Sequence, residues 1–385
     1  TEDGEPLNLN AGGKLTGRVG NWNLGFLGVQ QESSAQLGHR NLFVGRAAYN
    51  VLEHSSIGFL VTDGDPLEDR NARTLGLDFR YRDTRFHGNK ILQADAWYQQ
   101  TDNEGPAGAP PGDDDAWGFH LLLPNDRHRV DTWVYDFGEN FDPAMGFVNR
   151  TGIRDSHFNY RFRTRPVDSY WKAHDHQLGY RRTESSTDSE LSETLELTVW
   201  GGETRKSDHF FIWFNREREI LEEGFTLFDR IDVPPGDYEY NRSGLWAGSA
   251  FYRKFRLEGS VQLGDFLNGT RERISAEVDW RPSARFNLSL DYSSNDVKLP
   301  GGSFTARVMS VRSEIAFNNR WSLVPLVQFD NVSEEMGINV RLRYHPFRGS
   351  DLYVVWSRNM LRDLDDRFQS TTQDTVVKAT YTFRF

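Results

Sequence analysis

Charged side chains in this sequence recur at every second position inside runs that are otherwise apolar. Asp78, Arg80 and Arg82 alternate with Leu77, Phe79 and Tyr81; Arg161 and Arg163 alternate with Tyr160 and Phe162; Arg341 and Arg343 alternate with Val340, Leu342 and Tyr344. Glu277 and Asp279 interleave with Ala276, Val278 and Trp280, and Asp95 and Asp291 fall on the polar side of their own runs. A charge facing hydrocarbon near the bilayer midplane costs about 2–4 kcal/mol, so these side chains are expected on the face turned away from lipid. Rows of arginine and carboxylate there either form a selectivity path for a hydrophilic solute or brace a wide wall as an ion-paired network. Residue types alone leave both readings open. Trp97 shares a face with Gln93, Asp95 and Gln99, where an indole either stacks a sugar ring or fills space.

Two loop runs have the oxygen-rich composition of calcium loops, Asp113 to Asp115 and the group Asp363, Asp365 and Asp366. The plainer reading is solvated acidic tips facing cation-bridged lipopolysaccharide. Catalytic patterns are missing. There is no nucleophile elbow, phosphate-binding glycine loop or His-Glu-x-x-His, and the 10 histidines are scattered singly. The absence of cysteine excludes a thiolate nucleophile and a cysteine-based zinc site. No catalytic residue, metal ligand or cofactor is therefore nominated, and an enzyme is not expected. A net charge of -11 argues against nucleic acid as a partner.

The elements that position these charges are strands. No run approaches the roughly 18 apolar residues of a spanning helix, yet 14% of residues are aromatic in a chain with a mean hydropathy of -0.66. Alternating lipid-facing and water-facing residues, with aromatic girdles, produce that combination. About 20 alternating segments of roughly 9–12 residues can be traced, the length a tilted strand needs to cross a bilayer. The expected fold is all-β: an antiparallel transmembrane β-barrel with an even count of 20–22 strands, one domain over residues 1–385. Short turns at Asn125, Pro166, Thr204, Pro282, Asn318-Asn319 and Arg348-Gly349 are expected on the periplasmic side. Longer loops at 63–70, 101–115, 138–146, 217–237, 299–302 and 361–371 are expected outside, the fourth with one helical turn.

The last segment, 375–385, places Val377, Ala379, Tyr381, Phe383 and Phe385 on one face and Lys378, Thr380, Thr382 and Arg384 on the other. It resembles the closing strand of Gram-negative outer-membrane barrels. That resemblance implies that Tyr381, Phe383 and Phe385 form the signal read by the barrel-assembly machinery, and that outer-membrane lipid and lipopolysaccharide surround the barrel. Counting back from a closing strand that descends to the periplasm leaves an odd strand number. Either 7–11 forms an additional ascending strand, or a strand precedes Thr1, which is not an initiator Met.

Further stretches, Gly13-Lys14-Leu15-Thr16-Gly17-Arg18, Trp22-Asn23-Leu24-Gly25-Phe26-Leu27, Asn50-Val51-Leu52 with Ser55-Ser56-Ile57-Gly58, Gly146-Phe147-Val148-Asn149-Arg150 and Pro235-Gly236-Asp237-Tyr238, are similar to the C-terminal barrel domain of a family of large Gram-negative outer-membrane proteins of unknown function. In that family a carbohydrate-binding-like sandwich module and an early strand commonly precede the barrel. The resemblance implies an integral outer-membrane protein, and the size of a barrel of about 20 strands, wide enough for an aqueous lumen, points to a channel or receptor for a hydrophilic solute, saccharide being one candidate. The alternative it leaves is a barrel that anchors a periplasmic or surface protein partner.

Overall fold

The computed structural model describes residues 8–33, 38–68, 70–104, 113–187, 189–228, 230–363 and 367–382. Contacts divide the chain into two compact units, Thr1–Phe162 with Leu178–Leu195, and Arg163–Gln177 with Glu196–Phe385. The first contains β1 (Leu9–Val19), β2 (Trp22–Gln31), β3 (Arg40–Val51), β4 (Ser55–Asp63), β5 (Ala72–Phe86), β6 (Lys90–Asn103), β7 (Asp114–Pro124) and β8 (His128–Phe137). Three strands, β9 (Ile153–Thr164), β10 (Trp171–Ser185) and β11 (Glu190–Thr204), contribute to both units. The second unit continues with β12 (His209–Leu221), two short strands β13 (Phe225–Leu227) and β14 (Ile231–Val233), and then β15 (Gly236–Gly248) and β16 (Phe255–Phe266). It ends with β17 (Gly269–Ser283), β18 (Phe286–Leu299), β19 (Gly302–Ala316), β20 (Trp321–Asp330), β21 (Glu335–Tyr344), β22 (Ser350–Arg362) and β23 (Phe368–Tyr381).

All but β13 and β14 belong to one 21-stranded sheet. Within each unit neighbouring strands pair antiparallel in sequence order, as in β5 with β6 and β17 with β18. The all-β antiparallel architecture expected of a transmembrane barrel is the one observed. The surface is inverted relative to a water-soluble protein. On β5, Leu75, Leu77 and Phe79 are exposed, whereas Thr74 and Gly76 on the opposite face are buried. Period 2 decides this, because consecutive side chains of a strand leave on opposite faces.

The apolar face is zoned in depth. In the second unit Val278, Leu290, Val311, Val327 and Ile338 lie side by side across five strands as one aliphatic row. Nearer the short turns the same face becomes aromatic: Phe255 sits opposite Trp280, Trp280 meets Phe286 at 5.6 Å, and Trp321 stacks on Tyr344 at 4.3 Å. In the first unit Trp22 meets Tyr49 at 4.9 Å beside the Gly20-Asn21 turn. Aliphatic middle and aromatic rim match hydrocarbon and headgroup layers.

The main sheet has 21 strands among the described residues, a number within the expected 20–22. Several expectations need correction. Leu9, Asn10 and Ala11 form the start of β1 and not an additional strand, because the ladder to β2 continues through them past a register shift. The 299–302 segment is no long loop, since Leu299 pairs with Gly302 and leaves only Pro300 and Gly301 as the turn. Likewise Phe266 pairs with Gly269, which leaves a two-residue turn between β16 and β17.

Among its described residues the 217–237 segment contains no helical turn. β12 and β15 stay paired up to Leu221 opposite Gly236, and the residues between form the hairpin β13–β14. Ile231 and Val233 of this hairpin pack with Tyr238, Tyr240, Leu267, Val297 and Leu299 into a buried apolar cluster. Tyr238, Tyr240, Val297 and Leu299 project from the polar face of β15 and β18, the face opposite Leu245 and Leu290. Phe228 adds an edge-on contact to Phe304 at 5.0 Å. The hairpin is folded back over the polar face, where its two β-branched side chains find apolar cover.

Candidate functional site on the polar face

The charged positions singled out in the sequence do project from the polar face, and most find partners on neighbouring strands. In the first unit Arg80 pairs with Asp95 at 2.7 Å, and Asp78 is taken by Arg46. Register explains the first pair, since Arg80 and Asp95 stand directly opposite each other on β5 and β6. Gly58 provides room for the second, because a Cβ there would run into both the Arg46 guanidinium and the Asp78 carboxylate. Arg161 is half-buried on β9, opposite Arg129. Arg82 lines a cavity of about 770 Å³ with Arg18, Arg80, Gln93 and Asp95.

In the second unit Arg163 grips Asp175 with two bonds of 2.8 Å, the bidentate fork that planar guanidinium favours. Glu277 and Asp279 share Arg256, at 2.7 and 2.9 Å, and Asp279 also receives Arg281 at 3.2 Å. Asp291 accepts a hydrogen bond from Ser310 at 2.9 Å. Arg343 pairs with Asp351 at 2.7 Å, while Arg341 has no carboxylate within ion-pairing distance among the described residues.

Residues missed in the sequence are mainly the partners: Arg46, Arg256, Asp175 and Asp351, together with the Arg129–Asp131–His120 chain at 3.2 and 2.8 Å and the bidentate Arg181–Asp155 pair. Each also sits at an alternating position, so period 2 would have found them. Pairing needed the register.

Trp97 is part of the wall packing. It lies 5.9 Å from Tyr135 and 6.0 Å from Phe137, and a Cβ on Gly118 would collide with both the Trp97 indole and the Tyr135 ring. Tyr135 in turn stacks on Trp133, which stacks on His157. Aromatic rings lying flat over a glycine cover a stretch of backbone that would otherwise be exposed.

The loop-run aspartates are bound locally. Asp113 accepts the Asn103 amide at 3.1 Å, and Asp114 accepts the amides of Asp115 and Asn140 at 2.8 and 2.9 Å. Asp363 receives the Arg367 amide at 2.9 Å; Asp365 and Asp366 lie outside the described residues. Among the described residues no group of three or more acidic or histidine side chains is placed to hold a metal ion. Arg70 ties this loop end of the first unit together through Asp65 and Asp142. Burial opposes its charge, but the bonds from the two carboxylates outweigh that and raise its pKa. Of the three closing-strand residues, Tyr381 is exposed at the end of β23, 6.0 Å from Phe347, and Phe383 and Phe385 lie outside the described residues.

No family model and no curated protein matches the chain. Among solved structures it is similar to the siderophore receptor PiuA from Acinetobacter baumannii, at 9% identity and a TM-score of 0.44, over 95% of this chain and 70% of the receptor.

Proposed function

We propose that the protein is an integral outer-membrane β-barrel that serves as a channel or receptor for a hydrophilic solute. The observation that carries this reading is the division of the strands: an exposed apolar face zoned like a bilayer, backed by a polar face with charges in ion-paired rows and cavities of about 720 and 770 Å³. A barrel of about 16–18 strands already leaves an aqueous channel, and larger ones carry a lumen that is open or plugged. Saccharide as the solute gains nothing from Trp97, whose ring is packed against its neighbours. The anchoring alternative stays with the family resemblance, in which an upstream module accompanies the barrel.

Planar-bilayer recording of the folded full-length chain tests the proposal. Discrete conductance steps are expected, blocked or narrowed to the extent that the β13–β14 hairpin obstructs the polar face. A monomeric, correctly inserted protein without conductance and without uptake of any small solute into liposomes overturns the transport reading, and a stoichiometric partner on purification from membranes favours anchoring.

Assembly through the closing strand belongs to the same proposal. Removing Phe385 should lower the amount of folded, heat-modifiable protein in the outer membrane, whereas Arg384→Ala should leave it nearly unchanged, since neighbouring residues of a strand point to opposite faces. Equal folded yields of the two variants would show that the terminal aromatic is not read as a signal.

A further inference from the structure

The second unit holds a cavity of about 720 Å³ on the polar face, at the end of the strands where the Ser283, Asn318 and Arg348 turns lie. Its lining includes Arg281, Arg285, Arg341 and Arg343 but a single carboxylate, Glu314. The charge balance is lopsided even after each pair is traced. Glu314 is engaged by Arg312 at 2.8 Å, Arg281 by Asp279 and Arg343 by Asp351. Arg285 and Arg341 have no carboxylate within ion-pairing distance among the described residues. In a chain with net charge -11, this is a concentrated positive site on a face where several other arginines, Arg163, Arg242 and Arg256 among them, are ion-paired.

We propose that this cavity binds small polyvalent oxyanions, solutes carrying two or more carboxylate, phosphate or sulfate groups. Guanidinium forks accept such groups bidentately, and the volume falls within the range of small-molecule sites. Asn287, Ser322 and Tyr353 supply neutral hydrogen-bonding groups in the same lining. The inference rests on the lumen reading only for its physiological sense; binding itself can be measured without transport.

Titration calorimetry on the detergent-folded full chain would use citrate, inorganic pyrophosphate and sulfate, with acetate as a monovalent comparison. At least one polyvalent probe should bind, more weakly as salt rises, and which one binds best identifies the preferred group. The double variant Arg285→Gln/Arg341→Gln should lose about tenfold or more in affinity, and Arg285→Lys/Arg341→Lys should recover part of it. Arg348→Gln, in the neighbouring turn and outside the lining, removes one positive charge, as Arg341→Gln alone does, and should leave affinity unchanged where Arg341→Gln lowers it. Absence of binding by any polyvalent probe, or equal losses in Arg348→Gln and Arg341→Gln, overturns the site. Binding without bilayer conductance and without uptake into liposomes would instead defeat the transport reading and leave the site standing.

Discussion

Replacing residues 222–235 by a two-residue Asn-Gly turn should increase single-channel conductance several-fold while leaving the folded yield nearly intact. Leu221 stands opposite Gly236 in the β12–β15 ladder, so a two-residue connection closes the hairpin without altering register. What the excision removes is the β13–β14 hairpin, which is not part of the main sheet and is held to the polar face by the Ile231 and Val233 cluster and the Phe228–Phe304 contact. Of the tyrosines left behind, Tyr240 keeps its bond to Glu219 at 2.9 Å, Tyr238 exchanges the Pro234 carbonyl for water, and Leu267, Val297 and Leu299 would meet water at a modest cost. Recordings in the same lipid for both proteins would measure the difference. Unchanged conductance would mean that the hairpin lies outside the permeation path.

The second large effect is expected from a single charge on the apolar face. Leu290→Arg places a guanidinium in the middle of the row formed by Val278, Leu290, Val311 and Val327, where no headgroup is near, and should cost about 2–4 kcal/mol of folding free energy. Folded protein in outer-membrane fractions should fall sharply. Ser293→Arg, three residues away on the opposite face, should be tolerated, because Glu258, Glu277 and Asp291 line the same niche. Comparing heat-modifiable migration of the two variants checks the assignment of faces. If Ser293→Arg were the more damaging, the apolar face would not be the one in contact with lipid.

Most of the wall was legible from period 2 alone. Asp78, Arg80 and Arg82 against Leu77, Phe79 and Tyr81 leave one orientation that keeps charges out of hydrocarbon, and the structure has it. Two kinds of feature escaped. The 217–237 segment reads as a loop because its Pro234-Pro235-Gly236 end breaks the alternation, and the cover that Ile231 and Val233 find comes from β15 and β18, strands whose contribution no local pattern announces. The 299–302 turn looks long only if Leu299 and Gly302 are assigned to it, and their ladder pairing is a property of two strands together.

Composition and alternation in the sequence by itself determined that the chain is all-β, that each strand has an apolar and a polar face, and on which of them charges such as Asp78, Arg80 and Arg341 lie, because a strand has only two sides. Tertiary structure decided which charges neutralise one another. Asp279 receives Arg256 and Arg281, and Asp351 receives Arg343 and His345, through cross-strand register and side-chain reach. Arg341, indistinguishable from Arg343 in its sequence pattern, is left facing a cavity beside Arg285 because no acidic side chain among the described residues stands within ion-pairing distance of it, and Coulomb attraction depends on distance across strands and not on spacing along one.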